Sequence, residues 1–426
     1  MNLGLIHALT AFWRTRSLAR RLKTRADVEA WREKQLSAFL REAVPKVGFY
    51  RDHGHARLAD LPVMDKAALL ANFAALNVEG VTLEEARAAL DGTGPERPHG
   101  LQVGQSTGTS GNRGVFVISE AERFTWLGVI LAKTLPDVIF KSHRVALALP
   151  GFSALYASAA ETGRLKLKFF DLGLGVESWR ADIAAFDPDV IVAPPKVLRA
   201  LAEERTIRPV HVFSGAEVLD PLDRTAIEAG FGAVVREIYM ATEGLFGVAC
   251  PHGRLHLAED VVAFEFEYPN AGSPLAAPLV TDFTRRTQIM ARYRMNDLME
   301  LADGPCSCGS PLQAVARIEG RQDDVFHFVS GEGVPVMVTP DVLRNAVVDA
   351  DRAITTFHIA QTGPAAVRLS LAADLPARAA MAATAALAAA IRRAGGPEVE
   401  LELKAGVDVP FDRKLRRVER VWKDRP

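Results

Sequence analysis

The hydrophobic pattern changes character along the chain. From residue 1 to about residue 95, charged and apolar positions recur at helical spacing. One break falls at the extended segment Leu61–Lys66, where Asp65 is placed to cap a helix from Lys66 to Phe73. From about residue 101 to 300, short apolar runs alternate with helical stretches, a pattern that predicts a doubly wound α/β core. The predicted core elements are the strands Val145–Leu149, Val190–Val192, Val210–Phe213 and Val234–Ile238, with helices such as Pro195–Glu203 and Asp220–Glu228 between them.

Beyond Gly253 the pattern becomes richer in strands. His256–Tyr268 and Gln288–Tyr293 are predicted to belong to a β-rich subdomain. After Gly320–Asp324 come strands, a helix from Pro340 and an Ala-rich helix near residues 376–393, which is enough for a small α+β domain. The predicted fold class is α/β: a large multi-layer domain over residues 1–322 with a β-rich subdomain, and a small mobile α+β domain over residues 323–426.

The first segment combines apolar and basic residues. Met1–Trp13 is apolar, and four arginines follow it, whereas a secretory signal has its charges in front. We predict an amphipathic basic helix packed on the domain, and attachment to a membrane surface is the alternative that the sequence leaves open. No apolar run approaches the length that a spanning helix needs.

Composition and charge narrow the function classes. Apolar residues make up 49% and charged residues 24% of the 426 residues, and the formal net charge is −1. No global field attracts nucleic acid, so we expect no nucleic-acid partner. The three cysteines cannot all pair within the chain, which indicates a reducing cytoplasm. A homodimer is left open.

The segment Gly104–Gly114 carries the first candidate chemistry. It lies between two short strand-like runs, Gly100–Val103 and Val115–Ile118. Its glycines allow sharp turns and close approach to a ligand, and its hydroxyls and free amides can bind phosphate oxygens. It is not a Walker A loop, because no Gly-Lys-Ser/Thr follows at the required spacing. Considered alone, an ordinary hairpin turn is an equal alternative.

Five segments in order along the chain resemble the motifs of the adenylate-forming superfamily. They are Ser106-Thr107-Gly108-Thr109-Ser110-Gly111 for its phosphate loop, Ser214-Gly215-Ala216-Glu217 for its adenine-contacting turn, Tyr239-Met240-Ala241-Thr242-Glu243 for its Tyr-Gly-x-Thr-Glu motif, Arg292-Tyr293-Arg294-Met295-Asn296-Asp297 for its ribose motif, and Gly320-Arg321-Gln322-Asp323-Asp324 for its hinge. The short length and Leu61–Lys66 are similar to the phenylacetate-CoA ligase branch, which also contains deazaflavin-coenzyme adenylyl synthetases. The resemblance covers almost the whole chain from about residue 30.

The resemblance implies that a carboxylate attacks the α-phosphorus of ATP and that pyrophosphate leaves, at a site with hydrogen-bond donors and a metal ion. It implies that Thr242 donates to the α-phosphate and that Glu243 holds Mg²⁺. The nucleotide contacts that it implies are Ser106, Thr107, Gly108, Thr109, Ser110, Gly111 and Arg113 at the phosphates, Gly215, Ala216, Glu217 and Tyr239 at adenine, Asp297 at the ribose hydroxyls, and Arg321 at the hinge.

The chain departs from the family pattern in three places. Asn112-Arg113 stands where Lys-Pro is frequent, and Arg113 is expected to take the place of the lysine. Met240 stands where glycine is usual, which we expect to narrow one wall of the acyl pocket. Asn296 also stands where glycine is usual. None of these changes removes a charged catalytic group.

The C-terminal segment contains a further candidate. In the superfamily, a lysine in a Gly-Lys segment reaches the carboxylate and the α-phosphate, and Lys414 is the best match and the third catalytic candidate. Arg413 stands where glycine is usual, and a solvated basic run is the alternative. In the superfamily the small domain rotates between adenylation and thioester formation, and Asp323 is our hinge candidate.

The cysteines belong to a second group of candidate functional residues. Cys250 begins a predicted hairpin, and a turn over His252–Arg254 would place it opposite His256. With Cys306 and Cys308, these residues make a tetrahedral zinc set. Similar positions occur in the phenylacetate-CoA ligase branch, which implies a structural site. The alternatives are His252 as the fourth ligand, or three reduced thiols without a metal.

These expectations describe an ATP-dependent ligase. It would activate an aromatic or medium-sized carboxylic acid as acyl-AMP and pass the acyl group to CoA, using ATP, Mg²⁺, a structural Zn²⁺ and CoA. The alternatives are an adenylyltransferase, an acyl transferase to a carrier protein or an amine, and, in another class, a catalytically inactive nucleotide-binding protein.

Overall fold

The computed structural model describes residues 3–53, 57–105, 114–149, 161–162, 164–269, 273–407, 409 and 413–422. The chain forms two compact units. Unit 1 contains Met1–Met295 and Glu300–Arg317, and unit 2 contains Asn296–Met299 and Ile318–Pro426. The division expected from the sequence, between residues 322 and 323, stays a prediction.

Unit 1 combines helices with a large sheet. Its helices are α1 (Leu3–Arg21), α2 (Arg25–Glu42), α3 (Lys66–Ala71), α4 (Leu83–Leu90), α5 (Glu120–Thr134), α6 (Val176–Phe186), α7 (Pro195–Glu204) and α8 (Pro221–Phe231). Its strands are β1 (Gln102–Gln105), β2 (Val115–Ile118), β3 (His143–Leu149), β4 (Glu161–Thr162), β5 (Leu165–Asp171), β6 (Val190–Ala193), β7 (His211–Ser214), β8 (Val235–Ala241), β9 (Gly244–Ala249), β10 (Leu255–Leu257), β11 (Val262–Glu267), β12 (Leu275–Asp282) and β13 (Tyr293–Arg294). The strands β14 (Asp297–Leu301) and β15 (Ala314–Arg321) have residues in both units.

The core of unit 1 is the parallel ladder β5-β3-β6-β7-β8. The central strands β3, β6 and β7 are mostly apolar and buried, as parallel strands between helices must be, whereas β5 has lysines at exposed positions. Beyond β8 the sheet continues antiparallel through β9 and β10, and β11, β12 and β13 form a further antiparallel group. The predicted fold class, an α/β core with a more β-rich part after it, is confirmed.

Local sequence signals explain where several helices begin. Asp65 caps α3 as predicted, since its carboxylate accepts a 2.8 Å hydrogen bond from the amide of Ala68, although α3 ends at Ala71 rather than Phe73. Capping boxes start three other helices, because a threonine or serine and an acidic residue three positions later satisfy each other's backbone amides. These boxes are Thr24 with Asp27 for α2, Thr82 with Glu85 for α4, and Ser119 with Glu122 for α5.

The predicted N-terminal helix forms and continues to Arg21. It packs along α5 at very close range, because Gly128 faces the helix backbone: a Cβ atom at Gly128 would lie 2.1 Å from the carbonyl oxygen of Ala8. Gly4 similarly faces the ring of Phe124. No helix in the described ranges is long and apolar enough to cross a membrane.

Unit 2 is a small α+β unit, as the sequence predicts. After β15 it contains β16 (Phe326–Val329), β17 (Pro335–Val338), α9 (Pro340–Val348), β18 (Phe357–Gln361), β19 (Ala366–Leu371), α10 (Ala377–Arg393), β20 (Glu400–Ala405) and β21 (Val418–Arg420). The first two strands form a hairpin, and the last four form a sheet in the order β20-β19-β18-β21. The Ala-rich helix α10 begins and ends close to the bounds expected from its helix propensity.

Candidate active site

The carboxyl ends of two neighbouring parallel strands define the candidate site in unit 1. The strand β7 ends at Ser214 and is followed by Gly215, and the strand β8 beside it ends at Ala241. A Cβ atom at Gly215 would lie 3.8 Å from the carbonyl oxygen of Ile238, so the turn runs directly against β8. Ligands bind outside the carboxyl ends of the strands in open α/β sheets, which makes this edge the expected place for a nucleotide.

The turn after β7 has an unusual backbone. Ala216 adopts a φ of 67°, in the left-handed region that residues with a Cβ atom rarely enter, and it is exposed. Such conformations persist where the surroundings impose them, and they concentrate at functional sites. The next residue, Glu217, has a nearly buried carboxylate 3.8 Å from the ammonium of Lys196 at the start of α7. The predicted adenine turn is therefore a constrained backbone segment.

Thr242 and Glu243 form the tight link between β8 and β9. The hydroxyl of Thr242 donates a 2.8 Å hydrogen bond to Oε2 of Glu243. The phenol of Tyr293, from β13, donates a 3.0 Å hydrogen bond to Oε1 of the same carboxylate. The structure thus brings the predicted Tyr-x-x-Thr-Glu motif together with the tyrosine of the predicted ribose motif. No described basic side chain forms an ion pair with Glu243, so its charge is oriented by two hydroxyls without being neutralised.

Arg285 and Glu122 support the turn that contains Glu243. The guanidinium of Arg285 donates a 2.9 Å hydrogen bond to the carbonyl oxygen of Glu243, and its carbon lies 5.6 Å from the ring centre of Phe116. Glu122, the capping residue of α5, accepts hydrogen bonds from the amides of Arg286 (2.5 Å) and Thr287 (2.8 Å). Burial opposes ionisation of Glu122, but these bonds outweigh it and lower its pKa. The α5 terminus therefore positions Arg285.

A small cavity of about 40 Å³ lies beside Thr242 and Gly244. Apolar side chains of β2 and α5 form part of its wall, including Ile118, Trp126 and Val129. Polar residues form another part, and among them Asp282 is buried, with Oδ1 accepting hydrogen bonds from the amide (2.9 Å) and hydroxyl (2.6 Å) of Thr284. Burial raises the pKa of Asp282.

The sequence motifs predict no role for Glu122, Asp282 or Arg285. The Ser-x-x-Glu spacing of Ser119 and Glu122 is a readable capping box. Nothing local shows, however, that Glu122 also binds amides more than 160 positions later, or that Arg285 reaches Glu243. These contacts exist only once the sheet has assembled.

The predicted ribose motif contacts the segment Leu61–Lys66, which resembles the phenylacetate-CoA ligase branch. Arg292 binds the carboxylate of Glu265 through two hydrogen bonds of 3.0 Å, and it donates a 2.8 Å bond to the carbonyl oxygen of Leu61. The backbone of Met64 pairs with this motif, donating to the carbonyl of Arg292 (3.0 Å) and accepting from the amide of Arg294 (2.7 Å). The segment Leu61–Lys66 therefore supports the backbone segment that contains Tyr293.

The remaining predicted contacts fall into three groups. Tyr239 lies in β8 with its ring centre 5.4 Å from that of Phe246, and it is half-buried. The predicted phosphate loop, residues 106–113, lies outside the described residues. Asp297, Arg321 and Lys414 belong to unit 2, where Asp297 is half-buried and the other two are exposed. Their participation in the site stays a prediction.

The hinge candidate has a defined partner within unit 2. The side-chain amide of Asn296 donates a hydrogen bond to the carboxylate of Asp323, and the amide of Gln322 donates a 2.7 Å bond to the carbonyl oxygen of Asn296. A glycine, which the family usually has in place of Asn296, lacks the first of these bonds. This departure thus ties the predicted ribose and hinge motifs together.

The Cys/His set of the sequence meets at one place in unit 1. The candidate ligand atoms of Cys250, His256, Cys306 and Cys308 all lie within 4.8 Å of one another. The sulfur atoms of Cys250 and Cys306 are 4.0 Å apart, and Nε2 of His256 is 3.4 Å from the sulfur of Cys308. Tetrahedral zinc with Zn–S bonds of about 2.3 Å separates two sulfur ligands by about 3.8 Å, so the set fits zinc.

The surroundings of His256 favour metal binding. Its Nδ1 lies 3.0 Å from the carbonyl oxygen of Leu312, a partner that fixes the tautomer and directs Nε2 to the thiols. Burial lowers the pKa of His256 and keeps the imidazole neutral, as a ligand must be. The alternative ligand His252 is exposed and lies outside the set.

The hairpin register differs from the prediction. The turn falls at Pro251–Gly253, with the amide of Gly253 bonded to the carbonyl of Cys250. His256 is paired with Val248, and so it does not face Cys250 directly. The two ligands are diagonal neighbours on one face of the hairpin, a spacing that still lets side chains meet.

Comparisons with known proteins show which sequences and folds this chain resembles. No protein-family model matches the chain. A phenylacetate-coenzyme A ligase of Thermus thermophilus is 29% identical over 224 residues, which are 46% of this chain and 50% of that protein. Protein CapK of Staphylococcus aureus is 28% identical over 148 residues, 33% of this chain and 32% of that protein. The chain thus matches half or less of the length of these two relatives.

Solved structures extend the comparison to nearly the whole chain. A 2-hydroxyisobutyryl-CoA ligase in its postadenylation state, in complex with 2-HIB-AMP, superposes with a TM-score of 0.67 at 19% identity, covering 92% of this chain and 89% of that one. The chain has the fold of the adenylate-forming enzymes. The amide bond synthetase McbA from Marinactinospora thermotolerans shares it less fully, with a TM-score of 0.51, 14% identity and coverage of 74% and 67%. The resemblance to the adenylate-forming superfamily and its phenylacetate-CoA ligase-like branch is confirmed.

Proposed function

We propose that this chain is an ATP-dependent ligase that converts a carboxylic acid into acyl-AMP and then transfers the acyl group to CoA as a thioester. The observation that carries the proposal is the carboxylate of Glu243, which forms no ion pair with a described residue and is held by Thr242 and Tyr293 beside the carboxyl ends of β7 and β8. The adenylate-forming fold and the partial likeness to a phenylacetate-coenzyme A ligase support it.

Each side chain has a role that follows from its chemistry. Mg²⁺ bound with ATP would supply charge neutralisation at the phosphates. Glu243 is suited to hold that ion, because carboxylates are preferred ligands of Mg²⁺ and this one has no competing cation among the described residues. Thr242 would donate to the α-phosphate. Its hydroxyl carries one hydrogen, which is now given to Glu243, so this bond must be exchanged when ATP binds.

The other assignments concern single residues in each unit. Tyr239 would stack against adenine, Asp297 would accept the ribose hydroxyls, and Lys414 would stabilise charge at the carboxylate and α-phosphate. The exchange reaction tests the first half of the proposal. We expect labelled pyrophosphate to enter ATP with a subset of a carboxylic acid library, and added CoA to convert the adenylate into a thioester. An adenylate that accumulates with CoA but reacts with an amine or a carrier protein would contradict CoA as the acceptor.

Substitution of Glu243 tests most directly whether this residue holds the magnesium ion. Glu243→Gln keeps the shape of the side chain and removes its charge. The loss of several kcal/mol of transition-state stabilisation should lower the rate of acid-dependent exchange about a hundredfold or more. Glu33→Gln is the matched control, since Glu33 is an exposed residue of α2. Exchange near the wild-type rate in a folded Glu243→Gln protein would exclude Glu243 as the magnesium ligand.

We also propose that Cys250, His256, Cys306 and Cys308 bind one structural zinc ion. Four protein ligands leave no open position for substrate, so the ion would stabilise unit 1 and take no part in chemistry. Protein purified without chelator should contain about one zinc per chain, and Cys308→Ser should lose the zinc and unfold at lower temperature. A metal-free chain that is as stable as the zinc-supplemented one would rule the site out.

A further inference from the structure

The helix α1 uses one face to attach to unit 1. Phe12 and Leu18 are 3% and 4% exposed, and the backbone near Ala8 approaches Gly128 of α5 so closely that no Cβ atom would fit between them. This packing fixes the rotation of α1 about its axis. Its opposite face is consequently held toward solvent.

The solvent face of α1 carries large apolar side chains. Leu3 is 70% exposed, Ile6 38% and Trp13 46%. Together with exposed Thr10 they follow the spacing i, i+3, i+7 and i+10, which places them in one line along the helix. A line of three exposed apolar residues on a helix that already buries its other side is not needed for the packing of unit 1.

The same face is strongly basic. Arg14, Arg16, Arg20 and Arg21 lie beside and beyond the apolar line, and the first acidic residue of the chain is Asp27. None of the four arginines forms an ion pair with a described residue. Since the whole chain has a formal charge of −1, this is a local concentration of positive charge on a nearly neutral protein.

We propose that the outer face of α1 docks on an anionic lipid surface. Trp13, Ile6 and Leu3 would enter the boundary between headgroups and acyl chains, and the arginines would contact lipid phosphates. A second copy of the chain fits this face less well, because pairing two such helices would bring eight arginines together without a carboxylate. Nucleic acid would leave the three apolar side chains exposed.

Vesicle sedimentation tests the proposal on the full chain. We expect binding to phosphatidylglycerol vesicles, little binding to phosphatidylcholine vesicles, and loss of binding as salt is raised. A triple variant, Arg14→Gln with Arg20→Gln and Arg21→Gln, should bind about a hundredfold more weakly, since each basic residue near an anionic surface contributes about fivefold. Trp13→Ser should weaken binding without changing its salt dependence.

The matched control removes the same charge elsewhere. Arg51, Arg208 and Arg352 are exposed arginines outside α1, and their triple replacement by glutamine should leave vesicle binding unchanged. Far-UV circular dichroism and thermal unfolding verify that every variant is folded. Equal losses in the two triple variants, no binding to phosphatidylglycerol at low salt, binding to duplex DNA in place of vesicles, or an α1-dependent dimer that ignores vesicles would each overturn the proposal.

Discussion

The hydrogen bond from the phenol of Tyr293 to Glu243 can be tested by mutation, and the sequence motifs alone do not predict this bond. Tyr293→Phe removes one oxygen atom and leaves the ring, which is 4% exposed, in its packing. The lost interaction is a 3.0 Å hydrogen bond to Oε1 of Glu243, and the bond from Thr242 to Oε2 is exchanged when ATP binds. Hydrogen bonds to charged groups contribute about 1.5–3 kcal/mol, so a Glu243 carboxylate without the bond from Tyr293 should position its metal ion about ten- to a hundredfold less effectively.

The assay is acid-dependent exchange of pyrophosphate into ATP, measured as a function of Mg²⁺ concentration. We expect Tyr293→Phe to require more Mg²⁺ for half-maximal rate, because the phenol orients the ligand and does not touch the reacting atoms. Tyr268→Phe is the matched control, since Tyr268 is 59% exposed and lies outside the predicted ribose motif that contains Tyr293. Unaltered magnesium dependence in Tyr293→Phe, or a loss explained entirely by a lower melting temperature, would refute the reasoning.

Two further predictions concern unit 2. Lys414→Ala should slow adenylation strongly and affect thioester formation from supplied acyl-AMP far less, whereas the same change at exposed Lys404 should affect neither; equal effects on both half-reactions would remove Lys414 from the mechanism. Burial raises the pKa of Asp324 to about 6 against the opposing charge of Arg416, so the folded form binds its proton more tightly than the unfolded form. This group should therefore cost stability progressively as pH rises from about 4 to about 6, by at most about 3 kcal/mol. Chemical unfolding of Asp324→Asn across that range should lack this decline, and identical pH profiles for the two proteins would contradict it.

Most core strands were predictable because parallel strands between helices are largely apolar. Val190–Val192 corresponds to β6 with one residue added, and Asp220 caps α8 as its position suggests. The errors lie at the ends. Because they are apolar, Val210 and Val234 are predicted to lie in strands, yet they are 68% and 46% exposed and precede β7 and β8.

The candidate site was predictable only where a motif is local. Thr242 and Glu243 are neighbours in sequence and meet as expected, but the bond from Tyr293 spans 50 positions and depends on the pairing of β12 with β13. The zinc set illustrates the same limit. Its members could be proposed from chemistry, whereas the register that pairs His256 with Val248 follows from a turn one residue earlier than expected.

We propose that a carboxylate attacks the α-phosphorus of ATP, and the path of its oxygen atom tests this step directly. Once the acid library identifies a substrate, that acid can be prepared with ¹⁸O in its carboxylate and turned over with ATP and CoA, and the AMP examined by mass spectrometry. We expect one ¹⁸O atom in AMP, because the attacking oxygen stays on phosphorus when CoA takes the acyl group. Label in inorganic phosphate, with ADP as the nucleotide product, or unlabelled AMP would contradict it.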